Sequence, residues 1–294
     1  MASKIKKLRG LGAVMVAMGV AALAFAPVAS AHEGEWAKFN NCPSTVEGVF
    51  KCVHSVTTGG RVKLGVKNVP IVHPVTLDGG YSQANSERIS TFYGAANGET
   101  LQAVPQPVPG GLSGLVNCKE ISLWWLRESC EAIFENGLTG VNATLELAKP
   151  ASEIQISEFN LIAKKGVALK LPVKVHLENP LLGSGCYVGS SSSPLVWNLT
   201  TGTTSPPPPA EPLTGTFGTP SFSEGSQILN ITGAQLVENN WSAPHASGCG
   251  GFLVEYILDP IIDASVGLPA AAGTNEAVLV NTLNIALASK VNEH

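Results

Sequence analysis

The stretch that decides the fold is Val167-Ala168-Leu169-Lys170-Leu171-Pro172-Val173-Lys174-Val175-His176-Leu177. Large apolar side chains occupy every second position, and smaller or polar ones lie between them. This period of two is typical of a strand with one face in the core and one face toward solvent. Because proline cannot donate a hydrogen bond to a neighbouring strand, Pro172 predicts that the strand lies at an edge or contains a bulge.

Short segments rich in β-branched residues surround this strand and are separated by turn residues. They comprise residues 49–57, 61–66, 69–72, 75–77, 141–147, 153–163, 228–231 and 252–256. Thr58-Gly59-Gly60 and Asp78-Gly79-Gly80 are the predicted turns between the first of them. Residues 276–287 fit a strand or a helix. The pattern predicts a mainly β, antiparallel, sandwich-like fold with one or two short helices.

Two segments have helical spacing. One face of the first gathers Leu123, Leu126, Cys130, Ile133 and Phe134. This helix is expected to end at the Asn-Gly pair 136–137, a helix C-terminal signal. A second short helix is predicted over residues 258–264.

Residues 1–31 have the three parts of a secretory signal peptide. Four basic side chains precede an apolar run over residues 11–26, and Ala29-Ser30-Ala31 supplies the small residues that signal peptidase accepts. We expect cleavage before His32, which leaves residues 32–294 as a secreted domain. The alternative is a retained membrane anchor, which needs about 18–20 apolar residues without a cleavage site. No later stretch is apolar enough to span a bilayer, so an extracellular protein is expected.

The charge of the chain argues against a nucleic-acid partner. There are 18 Lys and Arg against 22 Asp and Glu, and four of the cations lie in the predicted signal peptide. Binding to phosphates needs a cationic surplus, which this domain lacks. At 14% charged residues, the chain also does not resemble a coiled coil or a solvated disordered tail. No cofactor is predicted.

The cysteines predict a disulfide-linked protein. All six lie in the predicted secreted domain: Cys42, Cys52, Cys118, Cys130, Cys186 and Cys249. An even number in an exported chain indicates three disulfides. Sequential pairing is the simplest of the many connectivities. A continuous helix would hold Cys118 and Cys130 about 18 Å apart, too far for a disulfide. Either the helix begins late, near Trp125, as we expect, or these cysteines pair elsewhere.

Residues 200–212 are rich in threonine and proline and resemble a linker. Four consecutive prolines, residues 206–209, favour an extended polyproline II segment. A domain boundary there would divide residues 32–294 into two lobes. A disulfide between Cys186 and Cys249 would join the two sides, so one domain or two tightly joined lobes are expected.

Four segments of the chain resemble uncharacterised secreted proteins of high-GC Gram-positive bacteria. They are residues 174–190, 199–206, 248–251 and 267–273. The resemblance covers most of the predicted secreted domain. It implies an exported bacterial protein and no particular activity, so it assigns no catalytic residue.

A copper site is one candidate chemistry. After the expected cleavage, the amine and imidazole of His32 could hold Cu(II) with a second histidine, because neutral nitrogen donors suit that ion. The histidines that could take part are His54, His73, His176 and His245. The simpler interpretation is that the new N-terminus is an unremarkable polar leader.

Hydrolytic chemistry has weaker support in the sequence. Ser82 and Ser113 each approach a nucleophile-elbow pattern but lack its final glycine. Asp259 and Asp263 stand four residues apart, on one face if the segment is helical, as a catalytic carboxylate pair requires. Pro260 instead favours their interpretation as helix-start and surface residues. Ser82 is better interpreted as a turn residue and Ser113 as a loop residue.

The tryptophans have two interpretations. A stacking platform for sugars is one, centred on Trp124-Trp125. Structural packing is favoured because aromatic residues make up only 6% of the chain. The other three are Trp36, Trp197 and Trp241.

The sequence therefore predicts a secreted, non-enzymatic β-rich protein with a surface-binding or envelope-structural role. Its expected partner is the cell envelope or another extracellular polymer. The alternatives are a secreted hydrolase or copper enzyme acting on such a polymer, and a carrier of small molecules.

Overall fold

The computed structural model describes residues 32–294. The predicted signal peptide, residues 1–31, lies outside the described residues. The strands are β1 Lys51–Leu64, β2 Lys67–Pro70, β3 Val75–Tyr81, β4 Ser90–Gly94, β5 Leu101–Ala103, β6 Gln106–Pro107, β7 Asn142–Leu147, β8 Gln155–Ile156, β9 Leu169–Glu178, β10 Tyr187–Val188, β11 Leu195–Leu199, β12 Thr219–Ser223, β13 Ile228–Glu238, β14 Ala246–Ser247 and β15 Glu276–Leu287. The helices are α1 Trp124–Glu135, α2 Glu158–Ala163, α3 Glu255–Val266 and α4 Ala288–Val291.

The mainly β, antiparallel prediction is confirmed. One path of paired strands runs β12-β13-β15-β1-β3-β4-β8-β9-β10-β14, and the remaining strands pair beside it. The sheet folds over on itself, because Thr200, just after β11, bridges to Val237 of β13. The apolar inner faces of both halves contribute to a single core. This is the sandwich-like arrangement expected from the alternating strands.

The strand that decides the fold, β9, lies inside the sheet rather than at an edge. It pairs with β11 on one side and with β7 and β8 on the other. Pro172 lies where β7 has ended and β8 has not yet begun, and its carbonyl accepts a hydrogen bond from the amide of Ala148 at 3.1 Å. The missing amide proton therefore faces a gap between partners, which is how a central strand accommodates the proline.

Two predicted turns are instead parts of strands. Around Thr58, β1 continues through a bulge, where the register with β15 shifts. Asp78-Gly79-Gly80 lies in the middle of β3 and pairs with β1. A Cβ atom on Gly80 would lie 2.6 Å from Cγ1 of Val49. The glycine there allows close packing, and it does not mark a reversal of the chain.

Two segments that are predicted as strands are different in the structure: one contains a helix, and the other leads into a helix. Residues 153–163 contain only the short β8 before Ser157, whose side chain caps α2 by accepting from the amide of Asn160 at 3.3 Å. Residues 252–256 lead into α3, which buries Leu258, Ile262 and Val266 at helical spacing. The ambiguous segment 276–287 is the strand β15.

The predicted cysteine pairing is confirmed in all three disulfides: Cys42–Cys52, Cys118–Cys130 and Cys186–Cys249. The late start of α1 resolves the distance problem. Cys118 lies in a 3₁₀ turn, an extended segment follows, and α1 begins at Trp124. The Cα atoms of Cys118 and Cys130 are then only 5.7 Å apart.

The Thr/Pro-rich stretch 200–212 is tied to the sheet at its start. The amide and carbonyl of Thr200 both bond to Val237, at 3.0 and 2.9 Å. The hydroxyl of Thr201 donates to the carbonyl of Leu161 at 2.6 Å and is fully buried. These contacts join the two sides of the stretch within the single compact unit of residues 32–294.

We predict that Gly60→Ala destabilises the fold by about 3 kcal/mol or more. Gly60 has a φ of +105°, and an added Cβ would lie 1.9 Å from the carbonyl oxygen of Val278. Gly98→Ala is the control, because its φ is +82° and an added Cβ there meets open space. That change should cost only about 1 kcal/mol. Equal free energies of unfolding for the two variants in chemical denaturation would contradict this account.

Candidate functional site

The histidines considered for copper each have their own partners. These are Asp78 for His54, the carbonyl of Pro105 for His73, Glu146 and Glu178 for His176, and Asp263 for His245. The backbone amide of His32 donates to the side chain of Asn40 at 2.6 Å. Within residues 32–294, no group of three or more His, Cys, Asp or Glu side chains is arranged to hold a metal ion. The copper hypothesis gains no support from these neighbours.

His54 belongs to a polar row across the outer face of the sheet. Asp78 on β3, His54 on β1, Asn284 on β15 and Asn230 on β13 are directly opposite one another in register. The Nδ1 atom of His54 lies 2.6 Å from Oδ1 of the buried Asp78. Lys38 donates to Asn284 at 3.0 Å. Asp78 can orient the imidazole of His54 as the carboxylate of a catalytic triad does. Among the described residues, however, no hydroxyl or thiol is hydrogen-bonded to that imidazole.

The two candidate serines are not placed beside a histidine. The Ser82 hydroxyl donates to the carbonyl of Gln83 at 3.0 Å and accepts from the amide of Thr91 at 3.0 Å. Ser113 is exposed in a 3₁₀ turn, Gly111–Gly114. Both positions agree with the turn and loop roles that the sequence favours.

Ser82 lines a surface cleft of about 410 Å³ that also contains Glu158. The Lys51 ammonium lies 2.6 Å from the Glu158 carboxylate, and the Tyr81 hydroxyl donates to the same carboxylate. Burial, and then the nearby charge of Glu158, raise the pKa of Tyr81 well above its ordinary value. Tyr81 therefore stays protonated as a fixed donor, and the network braces α2 against the sheet.

Asp259 and Asp263 bind backbone rather than forming a catalytic pair. Asp259 accepts from the amides of Gly248 and Cys249 at 3.1 and 2.8 Å. Asp263 accepts from the amide of Ala246 at 2.7 Å and pairs with His245. Both lie inside α3, which begins at Glu255, so the helix-start role suggested by Pro260 is wrong. Their contacts fix the segment that leads to the Cys186–Cys249 disulfide.

The tryptophans divide into buried and exposed groups. Trp36, Trp197 and Trp241 are in the core, as expected. Trp124 and Trp125 are 67% and 43% exposed, so structural packing is the wrong interpretation for these two. They lie in the first turn of α1, inside the loop closed by Cys118–Cys130.

A second group of exposed apolar side chains precedes and begins α3. Phe252 is 87% exposed, and Leu253 and Tyr256 are also largely exposed. They follow directly on Cys249 and its disulfide. We call Phe252, Tyr256, Trp124 and Trp125 the disulfide-anchored aromatic residues.

The sequence contains a signal for Trp124 and Trp125 that composition alone conceals. Successive residues of an α-helix are rotated by about 100°. The face that includes Leu126 and Cys130 therefore turns both tryptophans away from the core. The sequence contains no comparable signal for the exposure of Phe252 and Leu253, because the pattern of residues 252–256 predicts a strand.

Comparison with known proteins identifies no relative of this chain: no protein-family model, no curated protein and no solved structure matches it. Among the helices of residues 32–294, none has the length and apolar character needed to cross a membrane.

We predict that Asp259 makes stability fall as pH rises above the ordinary aspartate pKa of about 4, through the interval in which Asp259 titrates in the folded protein. Burial raises the pKa of Asp259, and the amides of Cys249 and Gly248 only partly oppose this. At pH values just above the ordinary pKa of aspartate, Asp259 therefore keeps its proton in the folded protein, whereas the unfolded chain releases it. Deprotonation of Asp259 in the folded protein then lowers the free energy of unfolding. Asp259→Asn should make the unfolding free energy less dependent on pH in this interval. Glu128→Gln on the exposed side of α1 is the control, and an equal change in both variants would contradict the assignment.

Proposed function

We propose that this chain is a secreted, non-enzymatic protein that binds an extracellular polymer of the cell envelope. The observation that supports the proposal is the exposure of aromatic side chains on two segments that disulfides hold in place. Trp124 and Trp125 lie between Cys118 and Cys130, and Phe252 follows Cys249 by three positions. Exposed aromatic residues on an ordered segment are typical of binding surfaces.

In this proposal, the disulfides lower the conformational entropy that is lost on binding. Binding costs the conformational entropy of every side chain and loop that becomes ordered. A segment closed by a disulfide has lost part of that freedom before the partner arrives. Tryptophan adds a large, rigid apolar surface that stacks on flat partners such as sugar rings.

The placement of the candidate catalytic groups favours binding over hydrolysis. Ser82 bonds to nearby backbone, and Asp259 and Asp263 hold the turn before Cys249. Each is engaged in maintaining local structure. Within residues 32–294, His54 is bonded to an orienting carboxylate and no hydroxyl group is hydrogen-bonded to it.

Export and bacterial origin are parts of the proposal that rest on the sequence. The signal-peptide pattern of residues 1–31 and the resemblance to secreted proteins of high-GC Gram-positive bacteria support them. Three disulfides in residues 32–294 agree with an oxidising compartment.

We predict that the double variant Trp124→Ala, Trp125→Ala binds its polymer about tenfold more weakly than the parent. Two stacking contacts of about 0.5–1.5 kcal/mol each would be lost. The measurement is co-sedimentation with insoluble peptidoglycan sacculi from a high-GC Gram-positive bacterium, with chitin and cellulose in parallel. Both side chains are exposed, so thermal stability should change little.

Phe222→Ala is the matched control, because Phe222 is 60% exposed on β12, far in sequence from both helices. It should bind like the parent. Equal binding by the double variant and the parent would contradict the proposal. Release of soluble sugars from any polymer would favour the hydrolase alternative.

A further inference from the structure

An apolar cavity of about 100 Å³ lies between the two inner faces of the folded sheet. Its walls come from both halves, including Leu77 of β3 and Leu171 of β9. Twenty of the twenty-five lining residues are apolar. Empty apolar cavities of about 150 Å³ in protein cores stay dry and bind molecules such as benzene. The cavity therefore falls near the size at which a small apolar molecule is accepted.

The walls of the cavity indicate an aliphatic ligand. They consist mainly of leucine, valine and isoleucine side chains from both halves of the sheet. A flexible hydrocarbon chain can follow such walls and make dispersion contacts with them.

One cationic residue lines the cavity. Among the residues from 32 to 294 that line it, Lys67 is the only charged one. Its ammonium group donates to the carbonyl of Gly114, and no carboxylate of the described chain lies within ion-pair distance of it. Lys67 is half-buried, so its charge is partly removed from water without an opposite charge nearby.

We propose that this cavity binds a short aliphatic monocarboxylate. The hydrocarbon chain lies between the two inner faces, and the carboxylate pairs with the ammonium group of Lys67. A single cationic residue in the wall of an otherwise apolar cavity matches a ligand with one anionic end and one apolar end. The site is independent of the disulfide-anchored aromatic residues.

The test is isothermal titration of the full chain with hexanoate and, separately, with hexan-1-ol. The parent should bind one equivalent of each, and hexanoate about tenfold more tightly because of the charge-assisted contact. Lys67→Met should weaken hexanoate about tenfold and leave hexan-1-ol unchanged. Lys63→Met is the control, because Lys63 lies on the same hairpin, does not line the cavity and pairs with Glu276. It should bind both ligands like the parent.

A second pair of variants tests the cavity itself. Ala143→Leu and Ala103→Val each place extra atoms in its wall. Whichever variant retains the circular dichroism spectrum of the parent should lose binding of both ligands. The proposal is overturned if the parent shows no saturable binding of hexanoate, if Lys67→Met binds hexanoate like the parent, or if a folded filled variant still binds. None of these outcomes bears on polymer binding by Trp124 and Trp125.

Discussion

The conformation of α1 and of the segment that leads into α3 depends on the disulfides Cys118–Cys130 and Cys186–Cys249. Of the twelve residues in α1, only Leu126 and Cys130 are fully buried, and Cys130 is itself cross-linked. So small an apolar contact would hold an isolated helix weakly, because most helical stability in proteins comes from tertiary packing. The Cys118–Cys130 bond supplies the missing constraint, worth about 3 kcal/mol for a closed loop of this size. α3 has more packing of its own, and its leading turn is held by Cys186–Cys249 and by Asp259.

The strands of the sheet could be predicted where each residue type indicates only one kind of local structure. The alternation in β9 identifies a strand because core and solvent impose opposite demands on neighbouring side chains. Glycine has no such single meaning. Gly59 and Gly80 are both in strands: Gly59 lies at a bulge, and Gly80 leaves room for the side chain of Val49, which packs too closely for a Cβ atom. Only the identity of the neighbouring strands distinguishes these cases from turns, and that information is not local.

The same limit applies to proline and to the candidate site. Pro172 is tolerated in a central strand because β7 and β8 leave a gap beside it, which the sequence of β9 alone does not contain. The exposure of Trp124 could be derived from spacing, because it depends on the rotation of residues along one short helix. The pairing of Cys186 with Cys249 could not, because 63 positions separate them. The cavity could not, since Lys67 and Leu171 lie far apart in the sequence and meet only when the sheet folds over.

The most direct test of this account is the polymer binding of the variant Cys118→Ser, Cys130→Ser. Cys42→Ser, Cys52→Ser is the control, because it removes a disulfide of similar loop length in a different part of the chain. If disulfide anchoring of α1 creates the binding surface, the first variant keeps the far-ultraviolet spectrum of the β-sheet but binds sacculi several-fold more weakly than the control. Binding equal to that of the control, in a folded protein without the Cys118–Cys130 bond, would contradict the account.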